Sequence, residues 1–88
     1  MSVPLHTIHS AAALERCLAR ATAEAVLLLL GDAVYCGLTK QDRPLHVLTE
    51  DLAARGLSPA DLAANITPID MKGFVALTVA HSPIVGWS

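Results

Sequence analysis

Six consecutive apolar residues, Ala25 to Leu30, constrain this chain more than any other stretch. A strand with one face in water alternates apolar and polar residues. An unbroken run closed by Gly31-Asp32 therefore reads as a central strand covered on both faces. The run falls far short of the about 20 residues a membrane-spanning helix needs. A strand buried on both sides requires helices above and below its sheet, and the rest of the chain supplies them in alternation.

Val3 to Ile8 reads as a first strand, and Ser10 caps a helix expected to run to about Ala23. After the central strand, Asp32 opens a short helical segment to about Leu38, and Gln41 to Pro44 form a turn. Leu45 to Leu48 is the next strand. Glu50-Asp51 and Arg55-Gly56 bracket a helix of one to two turns, with acids at its start and a glycine stop. Ser58-Pro59-Ala60-Asp61 is a cap with proline at the first helical position. Ile66 to Ile69 is a strand, Asp70 caps a helix to about Ala80, and Ile84 to Trp87 is a short closing strand. This order predicts one α/β domain over residues 1–88: a small open, mostly parallel sheet of 4–5 strands with helices on both faces.

So short a chain cannot hide all its apolar side chains. Area scaling gives roughly 4,900 Å² folded, with only roughly 63% of the extended surface buried. Yet hydrophobic residues make up 53% and charged ones 16%, with mean hydropathy +0.51. The surplus calls for cover, and without a spanning segment the expected cover is another subunit across apolar interfaces. Met1-Ser2-Val3-Pro4 carries no basic stretch or long apolar core, so no signal peptide is read and a cytoplasmic location is expected. Six basic against eight acidic residues, with Tyr35, Phe74 and Trp87 the only aromatics, disfavour direct nucleic-acid binding.

Few residues point to chemistry. There is no GxGxxG, GxxxxGK[ST] or GxSxG, so nucleotide and hydrolase readings lack support. Carboxylates at the carboxyl ends of the strands (Asp32, Glu50, Asp51, Asp70) suit an acid–base pair or Mg²⁺, but each also stands where a helix begins, and capping explains it. His6 and His9 fall on opposite faces of a strand, His46 reads as a half-buried strand residue, and His81 stands apart, so no metal site is expected. Cys17 and Cys36 are neither a CxxC pair nor a set of four.

Cys17 is where position and chemistry meet. With Leu14 at 0° on a helical wheel, Leu18 falls at about 40°, Arg16 at about 200°, Arg20 at about 240° and Cys17 at about −60°. That is the flank of the apolar stripe, beside Arg20 at i+3. The thiol is expected to be partly exposed next to a cation, which favours thiolate, the form active in sulfur transfer. The alternative is a small apolar side chain filling a helix edge. Cys36, on the short segment after Tyr35, carries a weaker case.

Five stretches in order carry a family resemblance: Leu5-His6-Thr7; Leu27 to Leu30 with Asp32-Ala33-Val34-Tyr35; Leu48 to Leu57; Ile69-Asp70 with Phe74 to Thr78; and Trp87-Ser88. Together they resemble the DsrH/TusB family of sulfur relay proteins over essentially the whole chain. The resemblance implies a DsrE/F/H-like fold. It also implies a place as the smallest subunit of a heterohexamer, beside DsrE/TusD-like and DsrF/TusC-like sister subunits, with a DsrC/TusE-like protein as sulfur acceptor. Such complexes pass persulfide sulfur between proteins, toward 2-thiouridine in tRNA or in dissimilatory sulfur oxidation. Glu15-Arg16-Cys17-Leu18 is similar to the first-helix cysteine of the DsrH branch, whereas TusB-type chains commonly lack it. The principal acceptor in this family is usually a cysteine of the DsrE/TusD-type subunit. The stretch from Leu38 to Leu45 is shorter than is usual, Ala33 replaces a common glycine and Met71 a common tyrosine, and Cys36 lies outside the pattern.

Two readings follow. In the first, the chain is a sulfurtransferase subunit in which Cys17 carries persulfide, Arg20 stabilises its thiolate, and no metal or organic cofactor is needed. In the second, it is a non-catalytic assembly subunit supporting sulfur transfer by its sisters.

Overall fold

The computed structural model describes residues 2–88. The strands are β1 (Leu5–Ile8), β2 (Val26–Leu29), β3 (Leu45–Leu48), β4 (Ile66–Ile69) and β5 (Ile84–Trp87). The α-helices are α1 (Ala11–Leu18), α2 (Thr49–Ala53) and α3 (Met71–Ala80), and Gly31–Leu38 and Pro59–Asp61 are 3-10 segments. The five strands form one sheet in the order β4-β3-β2-β1-β5, with every pairing parallel. The expected α/β sheet is present, and the mixed pairing that the sequence left open does not occur.

The Ala25–Leu30 run behaves as a two-faced strand should. Leu27 and Leu29 enter one buried layer with Ile8, Leu45 and Val47; Leu28 and Leu30 enter the other with Leu5 and Leu48. Side chains alternate faces along a strand, so a continuous leucine run feeds both layers at once. The first layer is roofed by Ala13, Leu14 and Cys17 of α1, Ala33 and Val34 of the first 3-10 segment, and Leu52 of α2. The second is roofed by Phe74 and Leu77 of α3, both only partly buried. No residue of α3 is fully buried, so the two faces of the sheet are covered unequally. The folded surface is 4993 Å², close to the roughly 4,900 Å² expected for this mass.

Helix α1 stops at Leu18, not near Ala23. Ser10 caps it as expected, accepting the Ala13 N–H at 3.0 Å. After Leu18 the Ala21 N–H returns to the Cys17 carbonyl at 2.8 Å and the chain turns toward β2. The reason is geometric. A four-residue strand spans about 13 Å, whereas a helix carried on to Ala23 would span about 20 Å and overshoot the start of the next parallel strand.

The short connection before β3 is pinned by polar side chains. Gln41 Nε2 donates to the Cys36 carbonyl at 2.8 Å, Asn65 Nδ2 to the Gln41 carbonyl at 2.6 Å, and Arg43 Nη2 to the Ala25 carbonyl at 2.6 Å. Gly37 lets the 3-10 segment lie close on the sheet: a Cβ there would stand 3.1 Å from side-chain carbons of both Leu62 and Val47.

Candidate functional site

The carboxylates at the carboxyl ends of the strands are occupied by structure. Asp51 accepts the N–H of Gly31 at 2.7 Å, holding the turn after β2 where Gly31 has φ +53°. Asp70 accepts the Gly73 N–H at 2.8 Å, and Glu50 accepts the Met71 N–H at 3.1 Å. Asp32 pairs with Arg55 at 2.9 Å, the aspartate largely exposed, an arrangement worth little to stability. Among the described residues no three of His, Cys, Asp and Glu gather closely enough to hold a metal ion.

Cys17 is placed differently from the expectation. It has no exposed surface and lies in the first buried layer. The wheel put it on the flank of the apolar stripe, and α1 does present Arg16 to solvent. That flank, however, is covered by the Gly31–Leu38 segment, which packs against α1. A wheel describes one helix and one partner surface; here a second element closes over the edge. Burial pushes the Cys17 thiol up, and the charge of Arg43 opposes the rise. The expected support from Arg20 is corrected as well. Arg20 is exposed in the turn beyond the helix, and the opposing cation is Arg43, which is anchored by the Ala25 carbonyl. Nothing in the sequence spacing marked Arg43, because only the pairing of β2 with β3 brings it to the Ala25 carbonyl.

Cys36 is the thiol of the pair that keeps some exposure. It borders an open groove of about 510 Å³ between α1 and the 3-10 segment, with Ala12, Leu14, Glu15 and Leu18 on the opposite wall. Burial raises the Cys36 thiol too, and no cation offsets it. Neither cysteine is thus held as a low-pKa nucleophile.

The histidines separate into distinct roles. His6 is almost fully buried, and Trp87 Nε1 donates to its Nδ1 at 2.9 Å. The rings lie 5.9 Å apart at 52°. This bond needs a neutral imidazole with its proton on Nε2. Burial, joined by the charge of Arg43, lowers the His6 pKa from 6.5. The stability carried by the bond is therefore complete above pH 6.5 and is lost as pH falls through the lowered folded value. Trp87 is the only tryptophan, so its emission should change on acidification. His6→Leu should abolish that step and lower stability at neutral pH by about 1 kcal/mol. An emission profile equally steep in His6→Leu would refute the link.

The remaining surface feature is apolar. Met71, Val75 and Val79 are spaced at i, i+4 and i+8 along the outer face of α3, at 46%, 54% and 83% exposure, with Ile84 at 51%. This is the surplus that composition anticipated. No helix is long and apolar enough to cross a membrane.

Known proteins align with most of this chain. A family model described as DsrH like protein matches residues 9–84. Protein TusB of Escherichia coli (strain SMS-3-5 / SECEC) is 39% identical over 98 aligned residues, covering 94% of this chain and 99% of that protein. The TusB proteins of Escherichia coli O139:H28 (strain E24377A / ETEC) and Shigella boydii serotype 18 (strain CDC 3083-94 / BS512) are each 38% identical with the same coverage. The alignments span more positions than the 88 residues of this chain, making it the shorter version of a shared plan. At this identity, over nearly its full length, the chain belongs to the DsrH-like family.

Proposed function

We propose that this protein is a subunit of a sulfur-relay complex, and that it supports sulfur transfer by its sister subunits while Cys17 packs its core. Family membership supports the sulfur-relay assignment. The observation that carries the assembly role is Cys17, which has no exposed surface and a raised pKa. A buried thiol held protonated is a poor nucleophile, because the thiolate is the attacking form. The exposed stripe of α3 supplies the surface an assembly subunit needs. In this reading its partners are DsrE/TusD-like and DsrF/TusC-like chains in the cytoplasm. The sulfur leaves through a DsrC/TusE-like acceptor, toward tRNA 2-thiouridine or in sulfur oxidation.

A second reading is favoured by one observation, the charge of Arg43 acting on Cys17. If the 3-10 segment opened, Cys17 thiolate would attack the outer sulfur of a donor persulfide. The donor would leave as thiolate and Cys17 would hold the sulfur as Cys–S–SH. Arg43, not Arg20, would then stabilise the thiolate.

Intact mass spectrometry of the chain co-expressed with its partners, after exposure to a persulfide donor, separates the two. Assembly support predicts sulfur added on a sister chain, none on Cys17, and unchanged transfer in a Cys17→Ala complex. Loss of transfer from a Cys17→Ala complex that is otherwise intact would overturn it.

A further inference from the structure

His46 lies beneath the loosely held helix. Along β3, Leu45 and Val47 enter the layer under α1, so His46 and Leu48 face the α3 side. Strand register places His46 in the row Gly86, Thr7, Leu28, His46, Thr67, which holds no other titratable group. Its Nδ1 is buried without a hydrogen-bond partner.

At the end of α3 stands His81. Its backbone N–H closes the helix on the Leu77 carbonyl at 3.0 Å, and the Ser82 N–H reaches the Val3 carbonyl at 3.2 Å. His81 Nδ1 lies 3.1 Å from that same carbonyl. A carbonyl only accepts, so Nδ1 carries the proton and donates, in neutral and cationic imidazole alike. The second imidazole is thus tied to the segment before β1.

We infer that His46 is an acid-sensitive latch on the sheet face that α3 covers: with His46 neutral the helix stays docked on the sheet, and a proton on His46 releases it. A proton on His46 would place a charge in the row of Thr7, Leu28 and Thr67, on the sheet face whose leucines pack under Phe74 and Leu77, where none of these side chains can neutralise it. Among the described residues the one charge that bears on it is that of His81, which opposes the proton rather than compensating for it. Asp70 and Lys72 belong to the other end of α3, about 15 Å away by helix rise. Burial and the His81 charge both lower the His46 pKa, in keeping with a site that resists the proton. The helix can respond because none of its residues is fully buried, which places it among the elements that open at low free-energy cost. Release would uncover Leu5, Leu28, Leu30 and Leu48. The inference does not depend on the sulfur-relay reading.

Amide hydrogen exchange on the full chain at pH 8 and pH 5.5, corrected for intrinsic exchange rates, tests the latch with β2 as internal reference. Protection of residues 74–80 should fall by up to about 10-fold relative to β2 on acidification, the most that one imidazole can supply at pH 5.5 when it titrates at 6.5 once released. His46→Gln should remove that fall, and His81→Gln should move it to higher pH by removing the opposing charge. Equal behaviour of α3 and β2 in the parent chain would overturn the latch, as would an unchanged fall in His46→Gln. Should His46→Gln fail to protect β2, the parent decides by NMR. The His46 Cε1 proton must titrate at the midpoint of the α3 opening, and a separate midpoint rejects the proposal.

Discussion

Val75→Glu combined with Val79→Lys should leave the isolated chain folded and weaken its assembly with sister subunits more than about 100-fold. Both positions are exposed, at 54% and 83%, and α3 commits no buried residue to the core. Glutamate four residues before lysine is a favourable helical pair worth about 0.2–0.5 kcal/mol, and both replace a β-branched residue of lower helix propensity. The fold therefore has no reason to suffer. In an interface the balance reverses. Each valine stands to bury apolar surface worth about 1.5 kcal/mol or more on association, and the variant must instead desolvate two charges. Thermal unfolding of the free chain and native mass spectrometry of the co-expressed complex report the two halves separately. An intact complex of parental affinity would show that α3 is not the assembly surface.

Leu29→Ala should cost about 2–5 kcal/mol and bring the free chain close to its unfolding limit. Leu29 has no exposed surface and is paired with Ile8 on one side and Val47 on the other, so the space left by its side chain is walled by strands that cannot close in. A chain of this size has about 4–13 kcal/mol in total at typical per-residue stability. Urea denaturation is the measurement, and a midpoint within error of the parent would mean that this layer is far softer than its burial implies. The same truncation at Val79, with 83% exposure, should be nearly silent. The contrast checks that the effect arises from burial.

Most of the fold was legible because the strongest signals were local. The Ala25–Leu30 run, the Ser10 and Asp70 caps, and the apolar strands Leu45–Leu48 and Ile66–Ile69 each depend on neighbours in sequence, and each took its expected form. Of the acidic residues at the strand ends only Asp70 caps its own helix as expected; Asp51 and Glu50 instead accept from Gly31 and Met71, and Asp32 pairs with Arg55, contacts between elements that local sequence does not show. The candidate site was less legible. The helical wheel ranked Cys17 by its angle on α1 and assigned Arg20 by its i+3 spacing, and both steps assume that a helix meets a single surface. The Gly31–Leu38 segment broke that assumption by covering the flank, and Arg43 arrived from the start of another strand.

The sequence alone determined that this protein is an open, mostly parallel α/β sheet with a doubly buried central strand, an apolar surplus and a family likeness over essentially its whole length. Those properties rest on composition, periodicity and order, which a linear chain carries. Only the tertiary structure decided that Cys17 is sealed, that His6 meets Trp87 across 81 positions, and that α3 alone covers its face of the sheet. These depend on which elements lie side by side. Burial, desolvation and charge act through space at a few ångströms, with no regard for separation along the chain.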